Sequence, residues 1–98
     1  MAKTDYHKFQ ALKKVWKKET AHLSSVSDII AHRAYKEIIA MGDKVIPWIL
    51  SEMAKSPDHW FAALFILTGY DVSASSNKGH IKRMTSDWLR WGRERKYI

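Results

Sequence analysis

His7, His22, His32, His59 and His80 are the first candidates for chemistry in this chain, because imidazole can ligate a metal or move a proton near neutral pH. Their spacing argues against a metal. No two stand in an H-x-x-x-H or H-E-x-x-H arrangement, and no carboxylate completes a third ligand at a recognisable spacing. His59 stands beside Trp60 at the start of an apolar run. It reads as a structural group whose ring bonds a backbone carbonyl or a carboxylate such as Asp58 or Glu37. His32 precedes a predicted helix break and reads as its cap. Ser24, Ser25 and Ser27 fall where helix N-caps are wanted, which accounts for them without a nucleophile. No G-x-S-x-G, phosphate loop or paired-carboxylate motif occurs. With no Cys, thiolate nucleophiles, zinc thiolates and disulfides are excluded. The expectation is a non-enzymatic protein with no cofactor, no metal and no catalytic residue.

The basic residues carry more information. Residues 1–22 hold six Lys against Asp5 and Glu19, a balance of +4. Residues 78–98 hold seven basic groups against Asp87 and Glu94, a balance of +5, while the centre is mildly acidic. Lys13, Lys14, Lys17 and Lys18 share one sector of a helix at about 100° per residue, apart from the apolar stripe of Phe9, Leu12, Trp16 and Leu23. Lys82, Arg83, Arg90 and Arg93 form a second basic face near the C-terminal end. Basic ends on a chain of net charge +7 suit an acidic or polyanionic partner. Trp48 lies off the apolar stripe of its own helix and reads as a possible aromatic anchor for a partner. Two occupants fit these residues. The first is another protein with an acidic surface. The alternative is DNA or RNA bound without sequence specificity, since lysine faces neutralise phosphates but read no bases.

The elements that must position these residues are helical. A first helix spans about Asp5 to His22. Residues 26–41 read as helical with a break near His32-Arg33, because Val26 and Ile30 point one way while Tyr35 and Ile39 point another. Ser25 and Asp28 resemble a capping box at its start. Gly42 ends this segment in a left-handed conformation and Asp43 caps the next helix, with Pro47 in its first turn and Ile46, Ile49, Leu50 and Met53 as its stripe. Ser56-Pro57-Asp58 reads as the start of a further helix and Gly69 as its stop. Every residue from Trp60 to Leu67 is apolar, which predicts a helix buried on all sides. Tyr70 to Asn77 reads as a loop. The last helix runs from about Gly79 to Trp91, with Ile81, Met84, Thr85, Trp88 and Trp91 buried, Gly92 as terminator and a basic tail beyond. No period-2 alternation is long enough for a strand.

The predicted class is all-α, a compact bundle of about five helices around the helix pair at residues 43–69. Ninety-eight residues suit one domain, residues 1–98, with a basic amphipathic helix at 1–23, the helix pair at 42–69 and a C-terminal helix with tail at 79–98. Five Trp and seven further Phe and Tyr allow a core of few, large side chains. No apolar run approaches the ~18 residues of a membrane span, and no secretory leader opens the chain, so the expectation is a cytoplasmic protein without a membrane partner, monomeric or weakly dimeric.

Residues 42–69 resemble a HEAT-type repeat, through Gly42, Val45-Ile46-Pro47, Ile49-Leu50, Met53, Asp58, Ala63, Leu67 and Gly69. That resemblance implies two antiparallel helices with a Pro in the first. Trp60 and Phe61 stand where such repeats carry a small aliphatic residue and an Arg. The whole line is also similar to a family of short bacterial proteins of unassigned function. The residues that carry this are Trp16-x-x-Glu19-Thr20-Ala21-x-Leu23-Ser24-Ser25, His32-x-Ala34-Tyr35, Ile38-Ile39-x-Met41-Gly42, His59-Trp60-Phe61 and Trp88-Leu89-x-Trp91-Gly92-Arg93. By analogy of size and family type, the resemblance implies a small regulatory, antitoxin-like or phage/defence-related protein.

Overall fold

The computed structural model describes residues 2–73 and 79–98, with side chains from Asp5 onward. It is all-α: α1 (Ala2–Thr20), α2 (Val26–Ile30), α3 (Arg33–Ala40), a 3-10 turn (Asp43–Val45), α4 (Ile46–Lys55), α5 (Phe61–Thr68) and α6 (Ile81–Glu94). No strand occurs among the described residues. The chain divides into two compact units, Met1–Val45 and Ile46–Ile98.

In the first unit α1 packs against α3. Phe9, Trp16, Ile29, Ala34, Tyr35, Ile38 and Val45 are buried. Trp16 ties the three helices together. Its ring lies 5.0 Å from that of Tyr35 on α3, and its Nε1 donates to the Ile29 carbonyl on α2 at 2.9 Å. The break predicted at His32-Arg33 separates α2 from α3. His32 has extended backbone, and its Nδ1 accepts the Ala34 amide at 3.0 Å, satisfying one of the open donors of α3. Its Nε2 lies 2.7 Å from Glu19 Oε1 on α1. Since Nδ1 accepts, the ring proton sits on Nε2 and is donated to Glu19. One imidazole therefore caps α3 and fastens it to α1.

The caps expected for α2 and α4 are not made as the residues suggested. Ser25 occupies the N-cap of α2, but its side chain makes no cap hydrogen bond. With only five residues in α2, there is little helix for a cap to stabilise. Gly42 does take the left-handed φ of +86°, but Asp43 opens the 3-10 turn and α4 begins at Ile46.

In the second unit α4 packs against α5 and α6. Ile46, Ile49, Leu50 and Met53 are all buried, as the stripe predicted. Gly92 does not terminate α6; it lies inside the helix and is buried. A Cβ built there would stand 2.7 Å from Leu50 Cδ1 on α4, so the missing side chain lets α6 come close to α4. Ile81, placed in the buried stripe by periodicity, is exposed one residue from the N-cap. The tail does not trail off. Lys96 takes φ +63°, its amide donates to the Arg93 carbonyl at 3.1 Å, and the Tyr97 amide donates to the Gly92 carbonyl at 2.8 Å. That bond pair is the Schellman closure, made here with a lysine in the left-handed position. It stacks the Tyr97 ring on Trp91, 5.4 Å apart.

α5 departs most from expectation. It begins at Phe61, not at Ser56, because Asp58 forms a local turn instead. The Asp58 carboxylate accepts the His59 amide at 2.7 Å, and its carbonyl accepts the Trp60 amide at 2.9 Å. α5 is also not buried on all sides. Trp60, Ala63 and Leu64 lie on one face and are fully buried, whereas Phe65 is 52% exposed and Ile66 60% exposed. At about 100° per residue, Phe61, Ala62, Phe65 and Ile66 fall on the opposite side from the buried set. The helix is one-sided like any surface helix, but its outer face is apolar.

Candidate interaction surfaces

Three surfaces gather the chemistry of the chain. The outer face of α5 is the first. Phe65 and Ile66 are adjacent, large and more than half exposed. Beside them lies a hollow of about 240 Å³, walled by Phe61, Phe65, Met84 and Trp88 and reached by Asp71 and Ser73. Ser73 is 7% exposed, and its hydroxyl is buried without a hydrogen-bond partner among the described residues.

The second surface is the lysine face of α1. Lys13, Lys14 and Lys17 line a concavity of about 480 Å³ together with Gln10 and Ala11. Lys13 and Lys17 are half-buried, Lys14 and Lys18 exposed. Tyr6, exposed one turn before Gln10, accepts a 2.8 Å hydrogen bond from Gln10 Nε2, which fixes an aromatic ring at the end of the basic stripe. Three of the four predicted lysines are thus brought together at one hollow, with Lys18 beside them on the helix.

The third surface belongs to α6. Lys82 and Arg83 sit in its first turn, beside a hollow of about 400 Å³ with Gly79, His80 and Ile81. Two cations there oppose the helix dipole, and the first turn carries no acid to offset them. Arg90 and Arg93 follow further along the same helix, all four residues exposed. Arg90 is engaged at 3.3 Å with the buried carboxylate of Asp87. Arg95, which periodicity did not single out, lies 4.8 Å over Tyr70 and 5.4 Å over Trp91, a cation held between two rings.

Trp48 is half-buried in α4, so it offers less apolar surface than its off-stripe position suggested. No group of three His, Asp or Glu side chains suited to a metal occurs among the described residues, and no described helix is long and apolar enough to cross a membrane.

Sequence reasoning missed Phe65, Ile66, Asp71 and Ser73. A signal for the first two was present, since an eight-residue helix apolar all round must either be enclosed or present an apolar face. For Asp71 and Ser73 there was no signal, because a polar residue in a loop is ordinary until the loop is seen against α6. No family model, curated protein or solved structure matches the chain.

Proposed function

We propose that this chain is a non-enzymatic protein-binding module whose docking surface is the outer face of α5. The observation that carries the reading is the adjacent exposure of Phe65 and Ile66, at 52% and 60%. Large apolar side chains displayed side by side lose free energy to water and regain it when a partner covers them. The partner is a protein with an apolar anchor site and an acidic surface, the latter met by Lys13, Lys14, Lys17 and Lys18 or by Lys82, Arg83, Arg90 and Arg93. Trp48 is a secondary contact in this reading. A photoreactive phenylalanine analogue in place of Ile66, irradiated in the native cell, should yield a discrete covalent adduct with one protein. The same probe in place of Val26, which is 48% exposed in the other unit, is the control. Equal adducts from both positions, or none from position 66, would overturn the reading.

The α1 surface supports a second reading, nucleic-acid binding without sequence specificity. The supporting observation is that Lys13, Lys14 and Lys17 converge on one concavity beside an exposed tyrosine. Neutralising about three phosphates should make log K fall with log salt at a slope of about −2 to −3. Absence of any gel shift at low salt and micromolar protein would remove this alternative.

A further inference from the structure

We propose that His32 is a pH-sensitive latch, whose protonation uncaps α3 while the ring stays fastened to α1. The inference stands apart from docking on α5, which belongs to the other unit of the chain.

The ring uses its two nitrogens in opposite senses. Nδ1 accepts the Ala34 amide at 3.0 Å, and Nε2 faces Glu19 Oε1 at 2.7 Å. Only the neutral ring with its proton on Nε2 makes both bonds, because an imidazolium carries a proton on each nitrogen and accepts nothing. A proton taken up at Nδ1 therefore points at the Ala34 N–H, donor against donor, and the cap is lost. The other contact responds in the reverse direction. Imidazolium against carboxylate is a charge-assisted hydrogen bond, so the Glu19 tether survives the proton and tightens. One proton thus exchanges a cap on α3 for an ion pair with α1.

The surroundings decide what the exchange does to α3. Glu19 of α1 is the charged group in contact with the ring. The other titratable groups on the elements that meet at His32 are His22 just after α1, Asp28 on α2, and Arg33, Lys36 and Glu37 on α3. Arg33 already pairs with Glu37. The first turn of α3 contains no acid, and the new charge falls at the positive end of that helix. Nothing on α3 replaces the lost cap, so its first turn opens. The proton has a route in, because the His32 side chain is 17% exposed.

The test follows the parent protein by NMR from about pH 7.5 to about pH 5, the interval in which imidazole takes up its proton. Ala34 lies in the first turn of α3, where an amide has no carbonyl partner within its own helix, so its proton reports the cap alone. The His32 Nδ1 resonance and the Ala34 amide proton should move with one midpoint, the amide upfield. Protection of Ala34 from solvent exchange should fall about fivefold, the worth of one cap. The amide of the buried Ile38, further along α3, should not move. His32→Asn keeps a cap acceptor and has nothing to titrate, so Ala34 should hold its position throughout. Glu19→Gln keeps an acceptor for Nε2 but removes the charge, and should lower the shared midpoint by roughly half a pH unit. A ring that stays neutral throughout, an Ala34 amide that ignores the protonated ring, the same Ala34 shift in His32→Asn, or simultaneous loss of Ile38 would each overturn the latch. A midpoint unmoved by Glu19→Gln would overturn its tether to α1.

Discussion

Replacing Gly92 by Ala tests whether α6 depends on a missing side chain to reach α4. In an unconstrained helix this change stabilises by about 1 kcal/mol, because Ala is the better helix former. Here the new Cβ would meet Leu50 Cδ1 at 2.7 Å and the Ile98 side chain at 3.4 Å. Leu50 is fully buried, so its terminal methyl can yield only by pressing on other core side chains in a close-packed interior. Overpacking of this kind costs about 1–3 kcal/mol, which exceeds the propensity gain over most of that range. Gly92→Ala should therefore destabilise by up to about 2 kcal/mol, or up to roughly 10 °C in Tm for a chain of this size. The decisive comparison is the same change made in a Leu50→Ala background. Leu50→Ala alone should cost about 2–5 kcal/mol, and in its cavity Gly92→Ala should become stabilising. Urea unfolding of the four proteins closes the cycle, with an expected coupling of at least about 1 kcal/mol. A Gly92→Ala variant stabilised equally in both backgrounds would refute the close approach of α6 to α4.

Other residues give equally direct expectations. Trp16→Phe keeps most of the ring but removes the donor to the Ile29 carbonyl, and should cost about 2 kcal/mol by urea melt, with the loss centred on α2 in hydrogen exchange. His32→Ala removes the cap of α3 and should destabilise by about 1 kcal/mol, while His32→Asn should recover part of this, because a short amide can cap but does not reach Glu19. Lys96→Gly should stabilise by about 1 kcal/mol, since the closing residue of α6 sits at φ +63° and glycine bears no side-chain penalty there. A Lys96→Gly protein that melts at or below the parent temperature would contradict the Schellman closure.

What could be read from the residues was local. The break at His32 was legible because the apolar direction changes between Ile30 and Tyr35, and no straight helix can bury both. The buried stripe of α4 was legible for the same reason. Gly92 was misread because glycine serves both as a helix stop and as a point of close approach, and only the position of Leu50 distinguishes them. Ser56-Pro57-Asp58 carries every mark of a helix start, yet the Asp58 carboxylate bonds the next amide and delays the helix to Phe61. The outer face of α5 was misread for a different reason. Hydrophobicity states what it costs to expose a side chain, but not how many neighbours exist to cover it. The basic residues were placed correctly on their helices; that Lys13, Lys14 and Lys17 share one hollow is a property of the folded surface.

The docking role of α5 is tested most directly by one affinity measurement. The partner captured from position 66 is purified and titrated against the parent protein and a Phe65→Ser/Ile66→Ser variant. Because both side chains are more than half exposed, the variant should keep its fold and its Tm. Its affinity should fall at least about a hundredfold, the loss expected when two apolar anchors are removed from an interface. A variant that binds as tightly as the parent would contradict the account.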